Sequence, residues 1–106
     1  MPTRTRSYDL LIRNGTVIDG TGGPSRQDDI AIVGDKIAGV GRLDGASAER
    51  VIDAEGRVVA PGFIDAHTHD DRAVLTAAGM TPKVSQGVTS VVTGNCGVSL
   101  APLAGV

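Results

Sequence analysis

Short apolar runs separated by glycine-containing turns fill residues 8–60, and this pattern constrains the fold more than any other feature of the chain. The runs follow one another about every ten residues, which is typical of a small antiparallel sheet or sandwich. Asn-Gly at 14–15 and Gly-Asp at 34–35 each lie between two apolar runs and predict tight hairpins. A third strand pair is expected around Ala-Glu-Gly at 54–56, and no helical periodicity precedes residue 70.

The character of the sequence changes at the Pro61-Gly62 dipeptide. The run "FIDAH" that follows has little alternation, which is typical of a buried parallel strand. The stretch "TPKVSQG" predicts a short helix with Thr81 as N-cap, Pro82 at the first helical position (N1) and Gly87 at the C-cap. "VTSVVTGN" predicts a second strand, so the order strand, helix, strand indicates a βα unit that leads to a parallel neighbour.

These patterns predict a mixed β and α/β chain with two regions. Residues 1–60 form the strand-rich region, and residues 61–106 carry the βα unit. Two parallel strands alone cannot cover their own apolar faces. We therefore expect the chain to be part of something larger or to need a partner, and to self-associate where neither is present.

Charge, hydropathy and cysteine content exclude several classes of function. The net charge is −2 and the basic residues form no patch, so nucleic-acid binding is not expected. No apolar stretch approaches the about 18 residues of a membrane span, or the about 7–15 residues of a signal peptide's hydrophobic segment. The single cysteine cannot form an internal disulfide, and together these features predict a cytoplasmic protein without membrane contact.

Both histidines of the chain, His67 and His69, lie two residues apart after the apolar run "FIDA". Residues i and i+2 of a strand point to the same face, so the two imidazoles could bind a divalent transition metal together, most commonly zinc. Asp70 and Asp71 follow directly and are candidates for ligation or for attracting a cation. The alternative is that both histidines are hydrogen-bonded or exposed side chains without a metal.

Cys96 is the candidate for a third ligand and lies in "TGNCG", after the second predicted strand. The carboxyl ends of parallel strands meet at one edge of a sheet, which would bring Cys96 near the histidines. Two alternatives stay open from the residues alone. Cys96 could be a buried, unreactive thiol, or a thiolate nucleophile, although the chain offers no further histidine to activate it.

The segment "APGFIDAHTH" resembles the first metal-binding segment of the amidohydrolase superfamily. "HTHDD" together with "SQGVTSVVTGNCG" narrows the resemblance to the N-acyl-D-amino-acid deacylases, the D-aminoacylase group, over residues 8–104. The resemblance implies the amino-terminal strands of a small β-sandwich domain, followed by the first βα units of an incomplete (β/α)8 metal-dependent hydrolase barrel. It also implies zinc as the cofactor, with Cys96 in a tighter zinc site and His67 and His69 in a second, weaker one.

The same resemblance implies that the amide bond of a small-molecule N-acyl-D-amino acid is hydrolysed to a carboxylate and a free D-amino acid. Such a barrel needs about 250 residues, so this chain corresponds to the amino-terminal portion of the enzyme. We expect the catalytic acid–base residue to lie outside the chain, and residues 1–106 alone to be inactive. The alternatives are a catalytically dead structural or complementing module with residual metal binding, or another amidohydrolase such as a hydantoinase or a dihydroorotase-like enzyme.

Overall fold

A computed structural model of the protein describes residues 7–100. The chain divides into two compact units, residues 1–61 and residues 62–106. The first unit contains the strands β1 (Ser7–Val17), β2 (Arg26–Val33), β3 (Lys36–Gly41), β4 (Ser47–Asp53) and β5 (Val58–Val59). The second unit contains the strand β6 (Phe63–Asp65), the helices α1 (Ala73–Thr76) and α2 (Thr81–Val84), the strand β7 (Val88–Val91) and a 3-10 turn (Asn95–Gly97).

The sheet of the first unit is built around β1. The strand order is β3-β2-β1-β4, and β5 pairs with β1 beyond the end of β4. The antiparallel hairpin of β2 and β3 is confirmed, and Gly34 at its turn has a φ of +58°. Because β4 and β5 both run parallel to β1, the sheet is mixed and the prediction of an antiparallel sheet is wrong for these two strands.

The turn at 54–56 does not form the predicted strand pair because it does not reverse the chain. Ala54 is buried, and its N–H donates to the Arg13 carbonyl of β1 at 2.8 Å. Three residues further, the Arg57 carbonyl accepts the N–H of Thr16, which also lies on β1, at 3.0 Å. The chain therefore keeps its direction through the turn and continues along the same edge of β1.

The predicted hairpin at 14–15 is also wrong, since β1 runs unbroken through both residues. The pairing with β2 shifts between Ile12 and Gly15, which makes this position a β-bulge. Asn14 has a φ of +56°, its N–H donates to Asp29 Oδ1 at 3.0 Å, and its side-chain amide donates to Asp53 Oδ1 at 3.1 Å. A Cβ on Gly15 would lie 2.7 Å from Val59 Cγ2, so the glycine allows β5 to approach β1.

The apolar core of the first unit lies on one side of β1 and β2. Leu11 and Ala31 are completely buried and pack with Tyr8. Three partly buried side chains close this cluster, namely Leu43, Ala46 and Ala48. Within β1 the buried residues are Tyr8, Leu11, Gly15 and Val17, and the residues between them are exposed or partly buried.

The parallel pair predicted for the second unit is confirmed: β6 and β7 are parallel, with Asp65 opposite Val91. A Cβ on Gly62 would lie 2.1 Å from Thr89 Oγ1, so only glycine fits where the chain enters β6 beside β7. A parallel pair requires a crossover, and α1 and α2 occupy it. The carboxyl ends of β6 and β7 consequently lie at the same edge.

The helix α2 begins one residue earlier than the sequence predicts. Met80, with a φ of +43°, is the N-cap in place of Thr81, because its carbonyl accepts the backbone N–H groups of Lys83 and Val84 at 2.9 and 3.0 Å. Pro82 is therefore the second helical residue instead of the first, and Ser85 is the C-cap in place of Gly87, which follows two residues later with a φ of +81°. None of the helices in residues 7–100 has the length and apolar character needed to cross a lipid bilayer.

Candidate metal centre

The two histidines lie in the loop that follows β6. The strand ends at Asp65, so the prediction that His67 and His69 are strand residues is wrong. The Asp65 carboxylate ends the strand, since its Oδ1 accepts the backbone N–H of His67 at 3.2 Å and turns the chain. The two imidazoles are exposed and meet edge to face with ring centroids 5.6 Å apart, whereas Thr68 between them is buried.

Cys96 lies in the corresponding loop after β7. It occupies the 3-10 turn with a φ of +56°, a conformation uncommon for a residue other than glycine. Gly94 and Gly97 beside it have φ values of +79° and +72° and take the other left-handed positions of this loop. The thiol is exposed, so the structure does not support the buried, unreactive thiol.

The structure brings the three predicted ligands together at the carboxyl edge of β6 and β7. One ligand atom from each of His67, His69 and Cys96 lies within 4.8 Å of the others, and Cys96 Sγ is 3.5 Å from His67 Nε2. In a tetrahedral zinc site with Zn–S near 2.3 Å and Zn–N near 2.0–2.1 Å, a sulfur and a nitrogen ligand lie about 3.6 Å apart. The donor set and its spacing therefore fit a zinc ion.

The two aspartates after His69 have other partners. Asp70 Oδ2 forms an ion pair with Lys83 Nζ at 3.2 Å, and Asp71 Oδ1 accepts the Gly94 N–H at 3.1 Å. Neither carboxylate belongs to the group of possible metal ligands found in residues 7–100. Asp71 instead connects the two ligand loops, because it follows His69 by two residues and Gly94 precedes Cys96 by two.

A second connection between the loops comes from Asn95. Its side-chain amide donates to the Thr68 carbonyl at 3.2 Å and to the Val92 carbonyl at 2.7 Å. Thr68 separates the two histidines, and Asn95 directly precedes Cys96. The distance between the imidazoles and the thiol is thus set by hydrogen bonds on both sides of the candidate site.

Lys83 is the functional candidate that sequence reasoning missed. Its ammonium donates to Asp65 Oδ2 at 2.5 Å and to Thr68 Oγ1 at 3.3 Å, in addition to its ion pair with Asp70. The hydrogen bond from Lys83 holds the pKa of the Asp65 carboxyl below its ordinary value, and Asp65 and Asp70 raise the pKa of Lys83. One signal was available: Lys83 is the only charged residue in 73–106.

Known proteins share this arrangement of sequence and fold. Residues 50–104 match the sequence profile of the amidohydrolase family. The chain is 57% identical to a D-aminoacylase of Alcaligenes xylosoxydans xylosoxydans over 100 residues, which are 94% of this chain and 21% of that protein. It is also 57% identical to an N-acyl-D-aspartate deacylase of the same organism over 95 residues, which are 90% of this chain and 19% of the relative.

A solved structure agrees with these relatives. The N-acyl-D-glutamate deacylase of Bordetella bronchiseptica, complexed with zinc and a phosphonate inhibitor, matches with a TM-score of 0.86 at 46% identity. The match covers 92% of this chain and 20% of that one. The chain thus spans about a fifth of the length of the relatives it matches. By its matched profile and by these identities, the chain belongs to the amidohydrolase family.

Proposed function

We propose that His67, His69 and Cys96 bind zinc, and that the protein hydrolyses the amide bond of N-acyl-D-amino acids. The observation that carries the proposal is the convergence of two imidazoles and one thiol, with ligand atoms within 4.8 Å, at the carboxyl edge of a parallel strand pair. The names of the relatives, a D-aminoacylase and an N-acyl-D-aspartate deacylase, support the reaction class. The zinc complex of the Bordetella bronchiseptica deacylase supports the choice of metal.

The fold proposed for the whole protein follows from the same likeness. The mixed sheet of residues 1–60 would be the amino-terminal part of a small β-sandwich domain. Residues 61–106 would be the first strands and helices of a (β/α)8 barrel. A site at the carboxyl ends of β6 and β7 is consistent with such a barrel, because active sites of barrel enzymes lie on that face.

The residues of this chain would bind and orient the metal. Zinc binding requires neutral imidazoles and a thiolate, so His67 and His69 each offer one unprotonated nitrogen and Cys96 loses its proton. When bound, zinc polarises the acyl carbonyl and makes water a nucleophile at neutral pH. Water adds across the C–N bond of the amide, and the products are a carboxylate and a free amine. We keep two metal sites, a tighter one with Cys96 and a weaker one with both histidines, as a prediction.

We assign the catalytic acid–base role to no residue of 7–100. Of the carboxylates nearest the histidines, Asp65 and Asp70 pair with Lys83, and Asp71 is buried with its Oδ1 accepting the Gly94 N–H and its Oδ2 without a hydrogen-bond partner in residues 7–100. A general base must be free to take a proton from the attacking water and return it to the leaving amine. A carboxylate held by an ammonium is poorly suited to that role.

The proposal does not choose between neutral and acidic D-amino acids as the substrate. The D-aminoacylase and the N-acyl-D-aspartate deacylase are both 57% identical to this chain. This segment therefore does not distinguish the two specificities, and the proposal covers N-acyl-D-amino acids as a class.

The test uses the protein expressed from its complete reading frame. We expect about one or two zinc ions per chain by elemental analysis, and hydrolysis of N-acetyl-D-methionine or N-acetyl-D-aspartate but not of their L-enantiomers. His67→Ala and Cys96→Ser should each lower zinc content and activity, whereas Asp35→Asn, at the exposed β2–β3 turn, should change neither. Hydrolysis of hydantoins instead of N-acyl-D-amino acids would refute the proposed substrate. Zinc binding without any hydrolysis would favour the catalytically dead module.

A further inference from the structure

We infer that Lys83 is a positioning residue for the metal site: its ammonium, bound to Asp65, Thr68 and Asp70, holds the loop that carries His67 and His69 in the ligating geometry. The inference deepens the proposed function and rests on it. Within residues 7–100 the hydrogen bonds and ion pairs of Lys83 go to Asp65, Thr68 and Asp70 and to none of the three ligands, so it acts through the residues around them.

The three partners of Lys83 alternate with the two histidines along the chain. Asp65 precedes His67 by two residues, Thr68 lies between the histidines, and Asp70 directly follows His69. Their oxygens lie 2.5, 3.3 and 3.2 Å from Lys83 Nζ, respectively. One ammonium thus fixes the loop before, between and after the two imidazoles.

Asp65 transmits this restraint to the backbone of the first ligand. One carboxylate oxygen accepts from Lys83, and the other accepts the His67 N–H at 3.2 Å. The Asp65 carbonyl also accepts the Val92 N–H at 2.9 Å, so the same residue is joined to the chain after β7. Rotation of the Asp65 side chain would release the peptide that sets the direction of His67.

Thr68 extends the restraint to the loop of the thiol. Its hydroxyl binds Lys83, and its carbonyl accepts the amide of Asn95, the neighbour of Cys96. Thr68 is buried while both histidines are exposed, so its side chain anchors the loop from within. The spacing of the three ligands therefore depends on contacts that meet at Lys83.

The charges indicate why an uncharged side chain cannot replace Lys83. Asp70 Oδ2 is buried and has no hydrogen-bond partner in residues 7–100, so the nearby ammonium is its compensating charge. Removing one partner of such a pair leaves a poorly solvated charge, and the loop must move to expose it. Since the rest of 73–106 carries no charge, no neighbour on that stretch can take over. Asp70, once released, would also be a free carboxylate beside His69 and could enter the coordination sphere.

The experiment measures cobalt binding by the protein from its complete reading frame, after the native metal has been removed. The cobalt–thiolate charge-transfer band reports Cys96, and the d–d bands report coordination geometry. In Lys83→Met we expect cobalt affinity to fall about 10- to 100-fold, the range found when partners of metal ligands are removed. The d–d bands should shift as well, which a purely structural loss would not cause in the folded fraction. Lys83→Arg keeps the charge and should restore most of the affinity.

The matched control is Lys36→Met, because Lys36 is exposed on β3 and is the only other lysine of the chain. It should stay within about twofold of the wild type, as is usual for a surface substitution. Wild-type affinity and an unshifted spectrum in Lys83→Met would overturn the inference while leaving the proposed metal site intact. Failure of the wild type to bind cobalt or zinc would refute both. If Lys83→Met does not fold, Asp70→Asn decides, since it breaks the ion pair and retains Lys83; unchanged affinity and spectrum there would also overturn the inference.

Discussion

The two units of the chain bury different kinds of side chain. In residues 7–61 the buried residues are mainly apolar, and Leu11 and Ala31 are completely inaccessible. In residues 62–100 only Thr68 and Asp71 are buried, and both are polar. Apolar residues of β6 such as Phe63 and Ile64 are 61% and 68% exposed.

This difference in burial indicates that different interactions stabilise the two units. In the first unit the removal of apolar surface from water stabilises the sheet, at roughly 25 cal/mol per Å². In the second unit hydrogen bonds and ion pairs fix the loops around the ligands, and a bound ion would add to them. We therefore expect the first unit to respond to changes in packing, and the second to metal and charge.

The largest effect is expected from Leu11→Ala. Its side chain is fully buried, so truncation loses transfer free energy and leaves a cavity, at a cost of about 2–5 kcal/mol. Hydrogen–deuterium exchange of the β1 and β2 amides measures the loss locally. For residues 1–106 expressed alone, the matched control is Leu75→Ala, because Leu75 in α1 is 74% exposed in this chain and its truncation should cost no more than about 0.5 kcal/mol. Equal costs at the two positions would abolish the distinction between the units.

Removal of the metal should destabilise the second unit and leave the first unchanged, which is the opposite of the effect of Leu11→Ala. A ligand at about 100 times its dissociation constant stabilises the binding state by about 2.7 kcal/mol, so a chelator should speed amide exchange in 66–71 and 94–97. The amides of β1 and β2 should keep their protection. In Cys96→Ser the chelator should have little effect, because Cys96 is the ligand of the tighter site and its loss leaves that site incomplete. Protection lost equally in both units would show that metal and packing are not separable in this way.

A third prediction concerns the close approach of β5 to β1. Gly15→Ala places a methyl group 2.7 Å from Val59 Cγ2, and such overpacking costs about 1–3 kcal/mol. Val59→Ala removes the Cγ2 methyl. The double variant should therefore lose less free energy of unfolding than the two single variants lose together. The exchange of amides in 12–17 measures all three variants. If the losses of the two single variants simply added in the double variant, the contact with Val59 would not be the reason why the bulge requires glycine.

The same position shows how far the sequence could predict the fold. Asn14-Gly15 carries a true signal, since Asn14 has a positive φ and Gly15 must lack a side chain. The signal could not tell a hairpin from a bulge, because the deciding contacts come from Asp29, Asp53 and Val59 much further along the chain. The Gly34 turn was predicted correctly because its two strands pair with each other and need no distant partner.

In the candidate site, too, the sequence predicted some features and not others. The parallel pairing of β6 and β7 was predicted from the order strand, helix, strand, and it suffices to bring Cys96 near His67. The role of Lys83 was missed because its partners Asp65, Thr68 and Asp70 lie 13 to 18 residues before it, and no local pattern pairs them. Asp70 and Asp71 were correctly placed beside the histidines, but their partners, Lys83 and Gly94, lie 13 and 23 residues further on.

The smallest effect is expected from acid at the bulge of β1. The N–H of Glu55 and the amide of Asn14 hold the pKa of Asp53 below its ordinary value of 3.8. Because the folded state lowers this pKa, the stabilisation is fully present above the unfolded value, and it is lost as the pH falls from there through the folded pKa. Amides in 12–17 should therefore lose protection below about pH 4 in the wild type, and Asp53→Asn should remove the part of that loss due to Asp53. Because Asp53 is exposed, water screens its hydrogen bonds. These hydrogen bonds should therefore stabilise the fold less than the buried ones of Thr68 and Asp71 do. If Asp53→Asn unfolded the first unit as severely as Leu11→Ala, hydrogen bonds rather than apolar packing would dominate its stability.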